Sequence, residues 1–360
     1  MVYRVHARER AAFKRCRREW DLGSPNRQNL EPVRRPGALD RSQALRDALA
    51  VYYFPGMWEW DRAIVHPLVY QALDRSLRGR ADGGGATGDE RARQEALDWG
   101  RALLDAYAAW APTVDNFTPI RIDTDFEVNV PDPARPDTNL LTADGDEVRY
   151  CGRVDLLVID SDDAYWVIQH RLVTESWAEE DTLQLDERTI AWAWAWPKFY
   201  LGMRIAGTMY NEIRVDAGEL GGKPPPPSGR ARVGHRRMYA RSGAVGGERL
   251  QIEGTDGFRR TQIRRGEAEL AAAGRDLAAE LSIATSVNLP VYPSPEPGVC
   301  ARCAYRVPCV MMNQGRDTTA ELSASYQQRP PESIQEGRLG GVTWSMNRGA
   351  APPPNWSRKS

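Results

Sequence analysis

The chain has 360 residues, of which 41% are hydrophobic, enough for one large core or two smaller ones. Its formal net charge is -1, so only local basic patches can argue for nucleic-acid binding. The first residues carry charges throughout and do not form a secretion signal, and no window has the apolar length of a membrane-spanning helix. Five cysteines in such a chain predict a reducing compartment, the cytoplasm, and not a disulfide framework.

The first part of the chain is predicted to be helical. Residues 5–20 are expected to form a short basic helix, followed by a loop rich in Pro, Gly and Asn. Helical periodicity continues over 39–77, with interruptions near Pro55 and Pro67. A further helix is predicted over about 89–110.

From residue 120 the apolar pattern changes to alternation, which is typical of strands. Three segments, IRIDTDFEVNV, EVRYCGRVDLLVID and AYWVIQHRLV, predict an antiparallel meander of three strands. Residues 181–201 contain alternating tryptophans, but their Ala, Leu, Glu and Arg content favours a helix kinked or ended at Pro197. The segment GTMYNEIRV predicts a fourth strand.

The last part of the chain contains two segments that differ in composition from the rest. Residues 216–257 have four consecutive prolines and are rich in Gly and Arg, which predicts a surface insertion. An amphipathic helix is predicted over 259–286. After Asp317 the chain becomes polar, and we expect residues 318–360 to be largely disordered or draped over the domain. Residues 1–317 are then a single domain.

The most specific pattern is formed by cysteines. Cys300, Cys303 and Cys309 give the spacing C-x2-C-x5-C, and Cys16 lies alone near the other end of the chain. Four thiolates suit zinc or an iron–sulfur cluster. No second C-x2-C or His pair follows, which favours a cluster with a remote fourth ligand that ties the two ends of one domain together. The alternative is a set of small buried thiols, which is the interpretation we give to Cys151 in the meander.

The order helix, three-strand meander, helix, strand and cysteine cluster resembles the PD-(D/E)xK nuclease superfamily over about residues 5–313. Within it the chain is similar to the RecB-like branch with an iron–sulfur cluster, which includes the AddB nuclease domain and the CRISPR-associated RecB-like exonucleases. The resemblance implies an α/β fold with a restriction-endonuclease-like core, a mixed sheet with an antiparallel meander flanked by helices. It also implies a [4Fe–4S] cluster on Cys16, Cys300, Cys303 and Cys309.

The same resemblance assigns the candidate catalytic residues. CGRVDLLVID looks like the G-x-x-D strand and makes Asp155 the metal-binding aspartate. WVIQHRLV lies where the family has (D/E)-x-K, and LQLDER looks like the Q-x-x-x-Y motif, with Gln184 matching its Gln. In the family two carboxylates and a backbone carbonyl hold Mg2+ or Mn2+, which activates water at the phosphate.

The chain departs from this pattern at several positions. Gln169 replaces the second carboxylate, Arg171 replaces the lysine, and Arg188 replaces the tyrosine. Arg46 stands where the cluster-bearing branch often has a metal-binding His. One carboxylate beside a neutral amide and several arginines is a poor divalent-cation site, whereas arginines hold phosphate well through planar bidentate contacts. Alternation along the strand places His170 on the opposite face from its two neighbours.

Local basic segments, which interleave arginine with aromatic residues, favour contacts with phosphates and bases. A solvated basic face is the alternative for each segment. The candidate nucleic-acid-binding residues outside the nuclease-like motifs are Lys14, Arg15, Arg17 and Arg18 in the first helix, and Arg230, Arg232, Arg236 and Arg237 in the insertion.

These observations predict a nucleic-acid-associated protein of RecB-like fold, catalytically weakened or inactive, with single-stranded DNA as the favoured partner and no membrane association. One alternative is an active Mg- or Mn-dependent exonuclease in which Glu127, Glu175 or Asp160 enters the site. The other is an interaction protein that recruits protein partners through the insertion or the tail.

Overall fold

The computed structural model describes residues 2–33, 39–78, 90–174, 176–215, 250–329, 338–339 and 342–343. The helices are α1 (Ala7–Arg15), α2 (Arg17–Gly23), α3 (Arg41–Tyr52), α4 (Arg62–Arg78), α5 (Glu90–Trp110), α6 (Glu180–Gln184), α7 (Glu187–Phe199), α8 (Glu267–Ala284), α9 (Pro297–Arg302), α10 (Arg306–Asn313) and α11 (Thr319–Ser325). The strands are β1 (Val2–His6), β2 (Leu30–Pro32), β3 (Phe117–Asn129), β4 (Pro131–Asp132), β5 (Arg135–Asn139), β6 (Glu147–Asp160), β7 (Tyr165–Val173), β8 (Ile205–Arg214), β9 (Leu250–Gly254), β10 (Phe258–Arg264), β11 (Tyr326–Gln328), β12 (Arg338–Leu339) and β13 (Val342–Thr343).

Seven of the described strands form one mixed sheet in the order β1-β6-β7-β8-β10-β9, with β3 paired to β6 as well. The long strand β6 has antiparallel β3 along one side. On its other side, parallel β1 pairs with the first half and antiparallel β7 with the second half. The predicted meander β3–β6–β7 is therefore confirmed, as is the fourth strand β8.

Helices cover both faces of this sheet, which makes the protein an α/β structure. On one face α3, α4 and α5 pack on apolar side chains such as Leu156, Ile168 and Met209. On the other face α7 and α8 pack on Leu157, Val167 and Ile205. Successive residues of a strand point to opposite faces, so β6 and β7 supply both cores from adjacent positions.

The sheet opens where β6 and β7 diverge. Their pairing covers only Leu156–Ile159 of β6 and Tyr165–Ile168 of β7. Beyond that point β7 continues with β8 through Val173, and β6 continues with β3 and β1. The residues at the split, Asp155 on β6 and Gln169 on β7, are thus placed next to a gap in the sheet.

Two predicted boundaries are corrected by the sheet. Residues 258–264, expected at the start of a helix, form strand β10 between β8 and β9; helix α8 starts only at Glu267. Residues 250–254, expected in the surface insertion, form the edge strand β9. In both cases polar strand residues are held by neighbours distant in sequence, which local composition does not reveal. The rest of the predicted insertion, 216–249, lies outside the described residues.

The two ends of the described chain also differ from the simplest prediction. Residues 5–20 contain the end of β1 and two helices, because Cys16 has an extended backbone between α1 and α2. Residues 319–329 are not disordered: α11 leads into β11, which pairs with β2 and so drapes over the domain. Beyond residue 329, the structure describes only the small hairpin of β12 and β13. Among the described residues, no helix is both long and apolar enough to span a membrane.

Candidate cysteine centre and aspartate row

The four motif cysteines come from two segments that pack against each other. Cys16 lies at the break between α1 and α2, Cys300 lies in α9, Cys303 follows α9, and Cys309 lies in α10. The backbone amide of Ser294 donates to the Cys16 sulfur at 3.4 Å. All five cysteines of the chain lie in the described residues and are free thiols.

Electrostatic contacts relate three of these thiols. Burial raises the pKa of Cys303, and negative charge on Glu19, Cys16 and Cys309 raises it further. Arg18 donates to the Cys309 carbonyl at 3.3 Å and lies 3.9 Å from its sulfur.

The chemistry of the four motif cysteines suits an iron–sulfur cluster or zinc. Among the described residues, no group of three or more His, Cys, Asp or Glu side chains lies close enough to hold one metal ion. The soft thiolates and their intermediate exposure suit either kind of centre.

The segments around the cysteines are also joined by direct contacts. The rings of Tyr305 and Tyr326 stack with their centres 5.6 Å apart. The Tyr305 hydroxyl donates to the Leu30 carbonyl at 2.6 Å, and the Tyr326 hydroxyl donates to the Ala304 carbonyl at 2.7 Å. The segment between Cys303 and Cys309 is thereby held to β2 and β11.

Asp155, the predicted metal-binding aspartate, lies at the split of the sheet. Among the described residues, the one hydrogen bond to its carboxylate comes from the His170 backbone amide, at 2.8 Å. Burial raises its pKa to about 6; the charge of Asp123 raises it as well, whereas the His170 amide and the charges of Arg46 and Arg188 lower it. The structure therefore places two other predicted site residues, Arg46 and Arg188, near Asp155.

Gln169 lies on β7 beside the same gap and is 7% exposed. Its Oε1 atom is buried and has no hydrogen-bond partner among the described residues. It lies beside Tyr210 of β8 in the ladder, and Arg171 lies over the Tyr210 ring, 5.8 Å from its centre. Gln169 and Arg171 thus share one face, as predicted, and His170 is buried against the other.

The remaining predicted residues of this site have different positions. Arg46 lies on α3 and donates a hydrogen bond to Gln43 Oε1 at 3.4 Å. Arg188 lies in the first turn of α7, over the Trp192 ring at 5.6 Å from its centre. Gln184 is exposed at the end of α6, and its carbonyl accepts a hydrogen bond from Arg265. No contact among the described residues joins the Gln184 side chain to Asp155.

The glycine of the G-x-x-D segment has a packing reason. A Cβ atom at Gly152 would lie 2.4 Å from the Phe126 ring and 3.1 Å from Trp192 Nε1. Only glycine lets α7 approach β6 this closely. Because Arg188 lies one turn before Trp192 on α7, this close approach also brings Arg188 towards Asp155.

The cations of the predicted basic helix are largely paired with other groups of the protein. Lys14 pairs with Glu187 and, at 3.2 Å, with Glu280, and Arg15 pairs with Glu19. Internal contacts also hold Arg17, over the Tyr292 ring, and Arg18, on Cys309. These cations dock α1 and α2 onto the domain, so they give weaker support for a nucleic-acid surface than the sequence suggested. Arg230, Arg232, Arg236 and Arg237 lie outside the described residues.

The structure also places acidic residues that the sequence did not single out. The register of β3 on β6 sets Asp123 opposite Asp155, and the next position across the split is Gln169. We call Asp123, Asp155 and Gln169 the aspartate row. Of the carboxylates proposed from the sequence, Glu127 pairs with Arg4 and Arg149, and Asp160 accepts from Trp166 and its own turn. Glu175 lies outside the described residues.

Comparisons with known proteins add little to this description. No protein-family model matches the chain, and no curated protein matches it. Among solved structures it is similar to one described as "Crystal structure of SSO0001", at 14% sequence identity, with 77% of this chain and 87% of the other covered. The TM-score is 0.29, which is too low for this likeness to carry an argument.

Proposed function

We propose that this protein is a nucleic-acid-associated member of the RecB-like nuclease fold whose catalysis is weakened or lost. In this proposal Cys16, Cys300, Cys303 and Cys309 hold a [4Fe–4S] cluster that joins the two ends of the domain. The observation that carries it is the buried amide of Gln169 in the place of the second catalytic carboxylate, beside Asp155.

The charges near Asp155 support binding over cutting. Arg46 and Arg188 approach it from helices on opposite faces of the sheet, and both act on its carboxylate. A site in which the Asp155 carboxylate lies beside a neutral amide and two guanidinium groups attracts phosphate more than it attracts a divalent cation. The role of Arg46 and Arg188 is to hold a backbone phosphate at the split of the sheet.

The cluster has a test of its own. Anaerobically purified protein is expected to be brown, and Cys303→Ala to lose both the colour and much of the stability, since a structural metal site of this kind contributes roughly 10 kcal/mol to folding. Cys151→Ala is the matched control, because Cys151 is buried in β6 and should keep the colour. Colourless wild-type protein with stoichiometric zinc would contradict the cluster.

Nucleic-acid binding is tested by filter-binding titrations with single-stranded DNA at several salt concentrations. Arg46→Gln and Arg188→Gln should each reduce the slope of log K against log salt by ~0.7, as expected when one phosphate contact is lost. Arg135→Gln is the control, since Arg135 is exposed on β5 and pairs with Asp132. If all three variants keep the wild-type slope of log K against log salt, the result would argue against a phosphate site at the split.

Catalysis is tested by incubating cluster-intact protein with labelled single-stranded DNA and Mn2+. We expect retention of the DNA without degradation. The double change Gln169→Glu with Arg171→Lys restores the family pattern and should raise Mn2+ affinity. Robust wild-type cleavage that disappears in Asp155→Ala would instead establish the active exonuclease.

A protein-interaction role is the second candidate, favoured by the internal pairing of the basic helix. Lys14 and Arg15 are both engaged with glutamates of the same chain, which leaves less positive surface for a polyanion. The filter-binding experiment separates the two. Failure to retain single- or double-stranded DNA or RNA at micromolar protein would support the interaction role.

A further inference from the structure

Trp177 lies in the loop that connects β7 to α6, and it contacts two arginines of neighbouring strands. The guanidinium of Arg214, the last residue of β8, lies over the Trp177 ring at 4.2 Å from its centre. Arg259, near the start of β10, lies over the same ring at 5.4 Å. The indole is only half-buried, so part of its surface faces solvent beside two positive charges.

A buried ion pair fixes the loop that carries Trp177. Glu212 on β8 is fully buried, and Arg259 donates to its Oε2 at 2.7 Å. The Ala178 amide donates to Glu212 Oε1 at 3.2 Å, and the Ala178 carbonyl accepts a hydrogen bond from Arg259. Both backbone groups of the residue after Trp177 are thus bound to the sheet, so the ring is held in position before a ligand binds.

Arg214 has hydrogen-bond donors that the described part of the protein leaves unused. Its Nε is buried and has no partner among the described residues. Its two terminal nitrogens make no hydrogen bond or ion pair within those residues either. The acidic residues 179–181 begin α6 and form no ion pair with Arg214 in the part of the chain that the structure describes. A guanidinium that stacks on an aromatic ring keeps its donor edge available to a phosphate.

A second cation lies beside Arg214 on the same face of the sheet. Arg171 on β7 is directly opposite Glu212, which is two residues before Arg214 on β8. Residues two apart on a strand share a face, so Arg171 and Arg214 are diagonal neighbours across the two strands. Arg171 lies over the Tyr210 ring, towards the split, and Arg214 lies over Trp177 at the end of β8. The two cations therefore form a line from the split of the sheet to Trp177.

We propose that Trp177 and Arg214 form a subsite for one unpaired nucleotide of a single-stranded nucleic acid. The base stacks on the exposed part of the Trp177 ring, the adjoining phosphate binds Arg214, and Arg171 continues the path towards the split. Stacking on a side chain needs a base whose face is open, which excludes a base inside a duplex. The inference rests on the proposed function and specifies its partner: the strand is single, and it is bound without sequence preference because every base has a face that can stack.

The experiment is a filter-binding titration of cluster-intact protein with oligo(dT) and with an abasic oligomer of the same length and backbone. Trp177→Leu should weaken binding of oligo(dT) by about tenfold without changing the salt slope, because it removes a stacking contact and no phosphate contact. The same variant should bind the abasic oligomer as wild type does. Trp177→Phe keeps an aromatic ring and should restore most of the affinity for oligo(dT).

Arg214→Gln should have the complementary effect. It should reduce the slope of log K against log salt by ~0.7 with both oligomers, because one phosphate contact is lost. Trp60→Leu is the matched control: Trp60 is 49% exposed and precedes α4, which packs on the other face of the sheet, and the change should leave both affinities as in wild type. Thermal unfolding and cluster absorbance show that each variant is folded.

Two results would overturn the subsite. Equal losses of oligo(dT) and abasic binding in Trp177→Leu would show that the ring only supports its loop, and an unchanged salt slope in Arg214→Gln would remove the phosphate contact. If Arg46→Gln and Arg188→Gln weaken retention while the Trp177 and Arg214 variants do not, this inference fails and the proposed function stands. If wild type retains neither oligomer, both fail.

Discussion

The two faces of strand β7 use buried polar groups in opposite ways. On one face His170 is joined to its surroundings: its Nδ1 lies 2.8 Å from the Asn211 amide, and its ring stacks on Tyr53 with the centres 5.8 Å apart. On the other face Gln169, the residue before it, has a buried oxygen with no partner among the described residues. The two adjacent residues therefore differ: the His170 ring has a hydrogen-bond partner within the protein, and Gln169 Oε1 has none among the described residues.

The His170 face is organised around an ion pair. Arg260 donates to Asp115 at 2.7 Å, and the side chains of both are at most 3% exposed. Hydroxyl and amide groups extend this pair to His170, and we call the set the arginine network. Its members are Arg260, Asp115, Tyr53, Tyr107, Asn211 and His170.

The arginine network is built for stability. Burial lowers the pKa of His170 to about 3, with help from the charges of Arg260 and Arg46, so the ring is neutral at ordinary pH. Except for Arg260 Nε, the guanidinium is bonded within the network. The aspartate row has fewer such bonds, and Gln169 Oε1 has no partner among the described residues. The comparison shows that the hydrogen bonds around His170 are more complete than those around Gln169.

The largest expected effect is on the network. Asp115→Ala should cost about 3–5 kcal/mol of unfolding free energy, because it leaves Arg260 buried without its counter-charge. Urea denaturation of cluster-intact protein measures this. A loss below about 1 kcal/mol would show that the network is not a structural element.

The next effect is the pH dependence of Asp155. Its folded pKa, about 6, is above the ordinary 3.8, so the folded state holds this proton more tightly than the unfolded state does. The stabilisation from this proton is complete below the unfolded pKa and is lost as pH rises to about 6. It amounts to at most about 3 kcal/mol, which corresponds to a pKa difference of this size.

Asp155→Asn removes this titration while keeping an acceptor for the His170 amide. The variant should therefore be more stable than wild type at pH 7.5, with the advantage disappearing near pH 4. Unfolding titrations at both pH values, with the metal absent, give the difference. An equal difference at the two pH values would mean that the Asp155 pKa is not raised by folding.

The smallest expected effect reverses the sign of an ordinary core substitution. Gln169→Leu should stabilise the protein by about 1 kcal/mol, because it removes a buried acceptor that has no donor. The matched change on the other face, Asn211→Leu, should destabilise it by about 1–3 kcal/mol, because His170 and Tyr107 lose their partner. Thermal unfolding of both variants compares the two faces directly, and loss of stability in both would break the comparison.

Much of the fold could be predicted from patterns within single segments. Apolar and polar residues alternate with period two along β3, β6, β7 and β8. Burial of at least one face of a strand is enough to produce this alternation. The composition of α5 and α7 favoured helices, and both are present. The alternation of side chains along a strand was enough to predict that His170 and its two neighbours, Gln169 and Arg171, lie on opposite faces of the sheet.

The candidate site could be predicted only in part, because Asp123 belongs to no sequence motif. Asp155 and Gln169 were singled out from the sequence because they align with the strand pattern of the family that the chain resembles. Asp123 was missed because nothing in IRIDTDFEVNV distinguishes it from the other acidic residues of that segment, Asp125 and Glu127. Its position near Asp155 depends on the register of β3 against β6, which no pattern within the segment reveals.

The sequence by itself determined which segments alternate, which favour helix, and which thiols are available in an ordered spacing, because these are properties of neighbouring residues. Tertiary structure decided that β10 is a strand between β8 and β9, that Lys14 is taken by Glu280, and that Asp123 lies opposite Asp155. Each of these outcomes joins residues far apart in the chain. Their contacts form only when the sheet closes, so no local pattern encodes them.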